Sequence, residues 1–327
     1  MTFDDFCKDL KKTLKALGQA EGKQLSIQEN SVAKLNFGEQ LAYTIQVAGK
    51  PQTGRLFYLE DYYIQEKMGK SLAHMAKEIL AQCQEPLQPE HAYISQAANL
   101  NWENAKDKIV LITYGYERNK GILNQYPFLR EKDFVATYHI LLEDAKESFS
   151  KIPIHNELFK KWGIHLSTLH RTAVENTLRL MPPLLQGMEE ALRSINMTDM
   201  EEIPANESPF IKLDILTNQN RVYGANALFC PGVLKQIGEK YPEGFYILPS
   251  SIHEVIILPK ASGFERKQLE KQVRSINREI VSPEDFLSDT VHAYDPSRNR
   301  LFAGEEIDHL LENPPSLTKH PPKDKKR

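Results

Sequence analysis

The apolar stretches of this chain are numerous and short. KIVLITY, FVATYHILLE, GFYILP and EVIILP are dense in apolar residues, yet no run approaches the roughly 20 residues that a bilayer-crossing helix needs. β-Branched and aromatic side chains fill them, and FVATYHILLE is too short for a typical helix, so each is a candidate strand. Helical spacing occupies the segments around them. Phe3, Phe6, Leu10, Leu14 and Leu17 recur on one face before Gly18, and SLAHMAKEILAQC places Leu72, Met75, Ala76, Ile79 and Leu80 on one side behind Ser71 as N-cap. Short strands interleaved with amphipathic helices predict an α+β fold, with mixed sheets and packed helices.

Along the chain, KQLSIQENSVAKLNF and QLAYTIQV read as strands, and RLFYLEDYYIQEKMG as a short strand turning into a helix. LNWENAKDKIVLITY is a short helix feeding a strand, and ESFSKIPI is the hairpin partner expected for residues 134–143. Asn156–Leu180 is helical with a break at Trp162-Gly163, and Asn156 and Ser167 are the expected caps. Pro182-Pro183 ends it, and one more helix is expected over Leu184–Ile195. MTDMEEIPANESP is the best linker candidate. Beyond it come strand FIKLDIL, turn TNQN, strand RVYGANALFC, helix GVLKQIGEKY, strands GFYIL and EVIILP, and helix FERKQLEKQVRSIN. A capped turn of helix at SPEDFLS and a hairpin around DPSRN follow.

At 327 residues the chain exceeds one average domain. It divides into an N-terminal α+β lobe (1–200) and a C-terminal α+β lobe (201–312), ordered strand-strand-helix-strand-strand-helix and sharing one interface. Residues 313–327, proline-broken and basic, are expected to be disordered.

The formal net charge of −3 supplies no global positive field, which disfavours nucleic acid as a partner. Cys7, Cys83 and Cys230 are far apart and form no CxxC pair, so they are expected to be buried, reduced thiols. The N-terminus, MTFDDFCKDLKKTLKALG, lacks the apolar core of a signal peptide. A cytoplasmic protein with no membrane partner is expected. Neither GxGxxG nor GxxxxGK[ST] occurs, and no cofactor is expected. His155, His165 and His170 cluster in sequence, but without an HExxH pattern or a close ligand pair no metal is expected. The oligomeric state is left open.

PSSIHEV raises the one question of catalysis. Ser250, Ser251, His253 and Glu254 are the candidate catalytic residues, with Asp289 or His292 as further groups that could face His253. Pro249 should end the strand GFYIL, the two serines should hold a tight turn, and His253 and Glu254 should open the return strand toward opposite faces. A Ser-His-acid relay does not fit adjacent His and Glu on one strand, so the turn is the preferred reading. Glu284 and Asp285, behind the candidate cap Ser282, read as acids favouring a helix dipole. Arg171, Glu175 and Arg179 make a charged stripe, and Arg171, Arg179 and Asn226 are the candidate binding residues. Gly224 suggests a bulge or a close backbone approach.

The stretch YGANALFCPGVLKQIGEKYPEGFYILPSSIHEVIILP resembles the signature of a bacterial family from gut Clostridia, domain of unknown function 5688. The resemblance extends through KDKIVLITYGYERNKGIL, IPIHNELFKKWGI, AVENTLRLMPP and INREIVSPEDFLSDTVHAYD. The strand-helix-strand-strand portion is more distantly similar to the uncharacterised YtpQ-like proteins. Cys230 stands where the family pattern leads one to expect an aromatic residue, a change a buried thiol absorbs as a small hydrophobe. The resemblance implies no activity, cofactor or catalytic residue. The leading expectation is a non-catalytic protein- or peptide-binding module using a sheet edge or the cleft between lobes. The alternative is a hydrolase built around residues 250–254.

Overall fold

Alternation along two strands decides how the layers stack. In β4 (Ile109–Gly115) every residue is buried, because both faces are covered. Val110, Ile112 and Tyr114 join one core, while Ile109 and Leu111 join another. In β10 (Phe245–Ser251), Phe245 and Ile247 share the core of Val110 and Ile112, and Tyr246 faces the opposite way. Two sheets therefore pack face to face, and helices cover their outer faces.

The computed structural model describes residues 1–49, 54–85, 100–142, 151–194 and 213–312; the acidic linker candidate and the basic tail lie outside them. The first inner sheet has the order β4-β6-β5, with β6 at Phe134–Leu141 and β5 at Phe128–Glu131, and β7 (Lys151–Pro153) also pairs with β6. Its outer face is covered by α4 (Asn156–Trp162) and α5 (Leu166–Leu180) through Leu158, Phe159, Leu169 and Ala173. The second inner sheet has the order β13-β12-β10-β11-β9-β8. Its further strands are β8 (Pro183–Gly187), β9 (Asp214–Asn218), β11 (Glu254–Pro259), β12 (His292–Asp295) and β13 (Arg300–Ala303). Leu269 and Val273 of α8 (Arg266–Ile280) and Ile307 of α9 (Glu306–Glu312) cover its far side. Between β8 and β10 lie α6 (Met188–Ser194) and α7 (Val233–Lys240). Every pairing between named strands is antiparallel.

A third unit precedes the sandwich. β1 (Leu25–Lys34), β2 (Gly38–Val47) and β3 (Arg55–Tyr58) form a sheet against α1 (Phe3–Ala20), α2 (Leu59–Lys67) and α3 (Leu72–Gln82). Phe6, Leu10 and Leu14 meet Tyr43, Ile45, Met75 and Ile79 in a separate core. Ser71 caps α3 as expected, its hydroxyl accepting the His74 N–H at 3.3 Å.

The α+β class is as the sequence predicts, with five local corrections. Residues 184–187 belong to β8, not to a helix, and the helix begins only at Met188; the strand gains the backbone of β9 as partner. RVYGANALFC is no strand but a turn and a 3₁₀ helix, Gly224–Phe229, held inside the sandwich by Ala225 and Ala227. β10 does not stop at Pro249 but runs to Ser251 through a register shift, which accommodates a residue with no N–H. SPEDFLS forms turns rather than helix. His155 and His165, not Asn156 and Ser167, take the cap positions of α4 and α5. The expected boundary at residue 200 falls outside the described residues, and the second inner sheet recruits β8 from before it.

The β1–β2 hairpin tip ties the third unit to the sandwich. Asn36, at a left-handed φ of 70°, is buried between Tyr116–Asn119 and the 284–286 turn. It exchanges bonds with Asn119: its N–H donates to Oδ1 at 2.6 Å, and its own Oδ1 accepts from Nδ2 at 2.9 Å. Its Nδ2 donates to the carbonyls of Glu284 (2.7 Å) and Phe286 (2.8 Å), and its carbonyl accepts from Arg118 Nε at 2.7 Å. Across the sandwich, the Asp133 carboxylate takes bonds from Ser288 Oγ and His292 Nε2. Burial by itself would raise the Asp133 carboxyl, but the His292 and Ser288 bonds outweigh it and hold it below its ordinary value.

Asn36→Ala is expected to cost about 3 kcal/mol or more in urea denaturation, because it strands several buried groups at roughly 1–3 kcal/mol each. Asn36→Gly, which suits the positive φ, should recover only the backbone part. A depressed carboxyl stabilises above its unfolded pKa and loses that contribution as pH falls through the folded value. Asp133→Asn should therefore lower stability at neutral pH and show a shallower loss below about pH 4 than the wild type, read from denaturation midpoints across pH.

Candidate functional site

The hairpin tip carrying His253 is clamped from four sides. Ile252 and His253 make the turn itself, and Ser251 Oγ accepts the His253 N–H at 3.1 Å. The Ile252 N–H donates to the Asp285 carbonyl at 2.8 Å, and the Ile252 carbonyl accepts from the Ala225 N–H at 3.2 Å. Thr217 Oγ1 donates to the His253 carbonyl at 2.9 Å. Gly224 is needed for that approach: a Cβ there would stand 2.3 Å from Thr217 Oγ1 and 2.4 Å from the His253 carbonyl oxygen.

Both nitrogens of the His253 ring are engaged. Nδ1 accepts the Tyr223 N–H at 3.1 Å, so the ring proton sits on Nε2, which faces Asp285 Oδ1 at 3.0 Å. The second Asp285 oxygen accepts from Ser282 Oγ at 2.8 Å. Tyr223 adopts a left-handed φ of 57°, and its ring stacks on His253 with centroids 5.4 Å apart. Lys151 Nζ donates to the Tyr223 hydroxyl at 2.9 Å and lies 4.2 Å from that ring's centroid. Burial, then Asp285 and Glu284, push the Tyr223 hydroxyl upward, so it stays a phenol.

These groups line a cavity of about 420 Å³ to which all three sheets contribute. The β1–β2 unit supplies Lys34, Phe37 and Tyr58; the first inner sheet and its flanks supply Tyr114, Tyr126, His139 and Lys151. Tyr223, His253, Glu284 and Asp285 complete it. Lys34 Nζ rests over two rings, 4.1 Å from the Phe37 centroid and 4.6 Å from that of Tyr58. His139 lies beneath, fully buried. Its Nε2 meets Thr137 Oγ1 at 2.9 Å, and since that hydroxyl donates to the Ile112 carbonyl, the ring proton is on Nε2. Nδ1 is left without a partner among the described residues. Burial, then Lys151 and His155, hold this imidazole well below its ordinary pKa and keep it neutral.

Of the hairpin candidates, His253 lines the cavity, and Ser250, Ser251 and Glu254 are not among its lining residues. Ser251 meets the His253 backbone and not its ring. Asp289 and His292 do not reach His253: Asp289 accepts from Asn277 Nδ2 at 3.0 Å, and His292 joins Asp133. The acid that does reach it is Asp285, which acts through its side chain rather than on a helix dipole.

Asn226 is wholly buried, its Nδ2 donating to the Leu111 carbonyl at 3.3 Å. With Thr177 on the Leu111 N–H (2.9 Å) and Asn176 on the Ile109 carbonyl (2.9 Å), it covers the free side of β4. Arg179 bonds the Asp107 carbonyl at 2.7 Å, and Arg171 is exposed on α5. His155 packs on Tyr126, and His170 Nδ1 meets the Tyr138 hydroxyl at 3.2 Å. No group of three His, Cys, Asp or Glu stands ready for a metal among the described residues. The three cysteines are buried and free, and burial pushes Cys7 and Cys83 up to about 11 and Cys230 up to about 12.

Sequence reasoning missed Lys34, Tyr223, Lys151 and His139. LNFG carries the turn signal that places Lys34 and Phe37 at a hairpin tip, but nothing local places that tip against residues 223 and 253.

The molecule is thus an α-β-β-α sandwich with an N-terminal α+β unit closing one end over an aromatic-walled cavity. The chain belongs to a family of unknown function, DUF5688, which matches residues 3–296. Neither the curated proteins nor the solved structures hold a match to it. Among the described residues no helix is long and apolar enough to cross a membrane.

Long-range ¹⁵N–¹H correlation should find His253 as the Nε2–H tautomer at neutral pH. Gly224→Ala should abolish that signature and cost about 3 kcal/mol or more, because the added methyl overlaps backbone that cannot yield cheaply.

Proposed function

We propose that this chain is a non-catalytic binding module of the bacterial cytoplasm, taking part of a peptide partner into the cavity between its three sheets. The observation that carries this reading is the state of His253. A nucleophile's base needs a free lone pair within reach of a hydroxyl, and this ring spends Nδ1 on the Tyr223 N–H and directs its Nε2 proton at Asp285. The residue is fastened as part of a wall. Aromatic sides with a few convergent polar groups are the ordinary make-up of a recognition pocket, and the volume suits a short peptide segment or one large side chain. The cleft is favoured over sheet-edge pairing at β4, whose free side is covered by Thr177, Asn176 and Asn226. Three free buried thiols agree with a reducing compartment.

Selection of a random-peptide display library on the full chain should return a related set of sequences. Their affinity should fall about tenfold or more on Phe37→Ala, the loss expected when an aromatic wall of the cavity is removed. A serine-directed fluorophosphonate should leave Ser250 and Ser251 unlabelled. Binders indifferent to Phe37→Ala, or a labelled serine whose reaction needs His253, would overturn the reading.

A further inference from the structure

Two ammonium groups face this cavity without a carboxylate. Lys34 is held by the rings of Phe37 and Tyr58, and Lys151 by the ring and hydroxyl of Tyr223; neither makes an ion pair among the described residues. The acids in the same wall do not answer them. Asp285 already accepts from His253 and Ser282, and Glu284 is exposed. An ammonium has three N–H donors. Lys151 directs donors at the hydroxyls of Tyr223 and Tyr114, which leaves one, and the Lys34 ammonium forms no hydrogen bond among the described residues. Donors left over in a partly desolvated, aromatic-walled space favour a charged acceptor brought in from outside. The field beneath points the same way. After burial, Lys151 and His155 are what disfavour charge on His139, and Lys151 offsets part of the rise that burial imposes on the Tyr114 hydroxyl.

We propose that Lys34 and Lys151 form a carboxylate subsite, so that the peptide is anchored by an acidic group. This rests on the peptide-binding reading above and adds the chemistry of the anchor. The carboxylate is that of a peptide C-terminus or of an Asp or Glu side chain. In either case the aromatic walls take the apolar part of the residue that bears it.

The test uses the full chain and fluorescently labelled random hexapeptide pools followed by anisotropy. One pool has a free C-terminus and no acidic side chains, a second is amidated with Asp and Glu included, and a third is amidated without acids. One of the first two should bind roughly tenfold or more tighter than the third, the worth of one charge-assisted hydrogen bond. Which of them does so identifies the source of the carboxylate. Lys34→Gln with Lys151→Gln should erase the difference, Lys151→Arg should retain much of it, and Lys271→Gln, exposed on α8 and outside the cavity, should leave it intact. If the neutral pool binds as tightly as the others, the carboxylate subsite is wrong while peptide binding stands. An advantage that survives the double substitution, in protein whose melting is cooperative, also removes these lysines from the role. No binding by any pool overturns both proposals.

Discussion

Asn36 is the contact on which the arrangement of the three sheets depends. The three-residue tip packs Leu35 against the core of the sandwich, and at its centre it anchors through a side chain whose polar groups are all engaged. Its amide pairs with that of Asn119 beside β4 and with two carbonyls of the turn that follows α8. Buried amides are costly when unpaired and directional when paired, so the tip can sit in one place only. That placement brings Lys34 and Phe37 into the wall of the cavity that Tyr223 also lines.

Inside the sandwich, polar ties do similar work where apolar packing alone would not choose a register. Asp133, at the turn between β5 and β6, reaches His292 on the opposite sheet and Ser288 in the segment before it, and the His292 ring stacks on Phe134 with centroids 4.1 Å apart. Gly115 admits the Leu287 carbonyl to where a Cβ would stand, so the end of β4 and the segment before β12 touch backbone to backbone. The hydrophobic cores hold the layers together; these few groups fix how the layers are offset. His253 belongs to the same kind of structure, since one ring links Tyr223, Asp285 and the β10–β11 turn.

Much of the secondary structure was legible because its signals are local. The spacing of Phe6, Leu10 and Leu14, the Ser71 cap and the apolar run of β6 each report on a few neighbouring residues, and each forms as read. The misreadings fall where a distant partner overrides a local preference. Leu184–Gly187 has the composition of a helix start but pairs with the edge of β9 that β11 leaves open. RVYGANALFC has strand-like content but is turned into a 3₁₀ helix by burial of Ala225 and Ala227. Of the site, His253 was visible as a turn residue with a possible role. Asp285 was seen but assigned to a helix terminus that does not form, and Lys151 and His139 carried no signal, being an ordinary lysine and a histidine within an apolar strand.

By itself the sequence determined the α+β class, the amphipathic faces and the hairpin around residues 250–254, because periodicity, caps and turn residues act over a few bonds. The tertiary structure decided that two sheets share a core, that Asn36 pins a third to them, and that residues 34, 151, 223 and 253 surround one cavity. Those relations join residues far apart in the chain, up to 248 positions between Asn36 and Glu284. They are set by which buried polar groups find partners once the layers are packed, a condition that no window of local sequence contains.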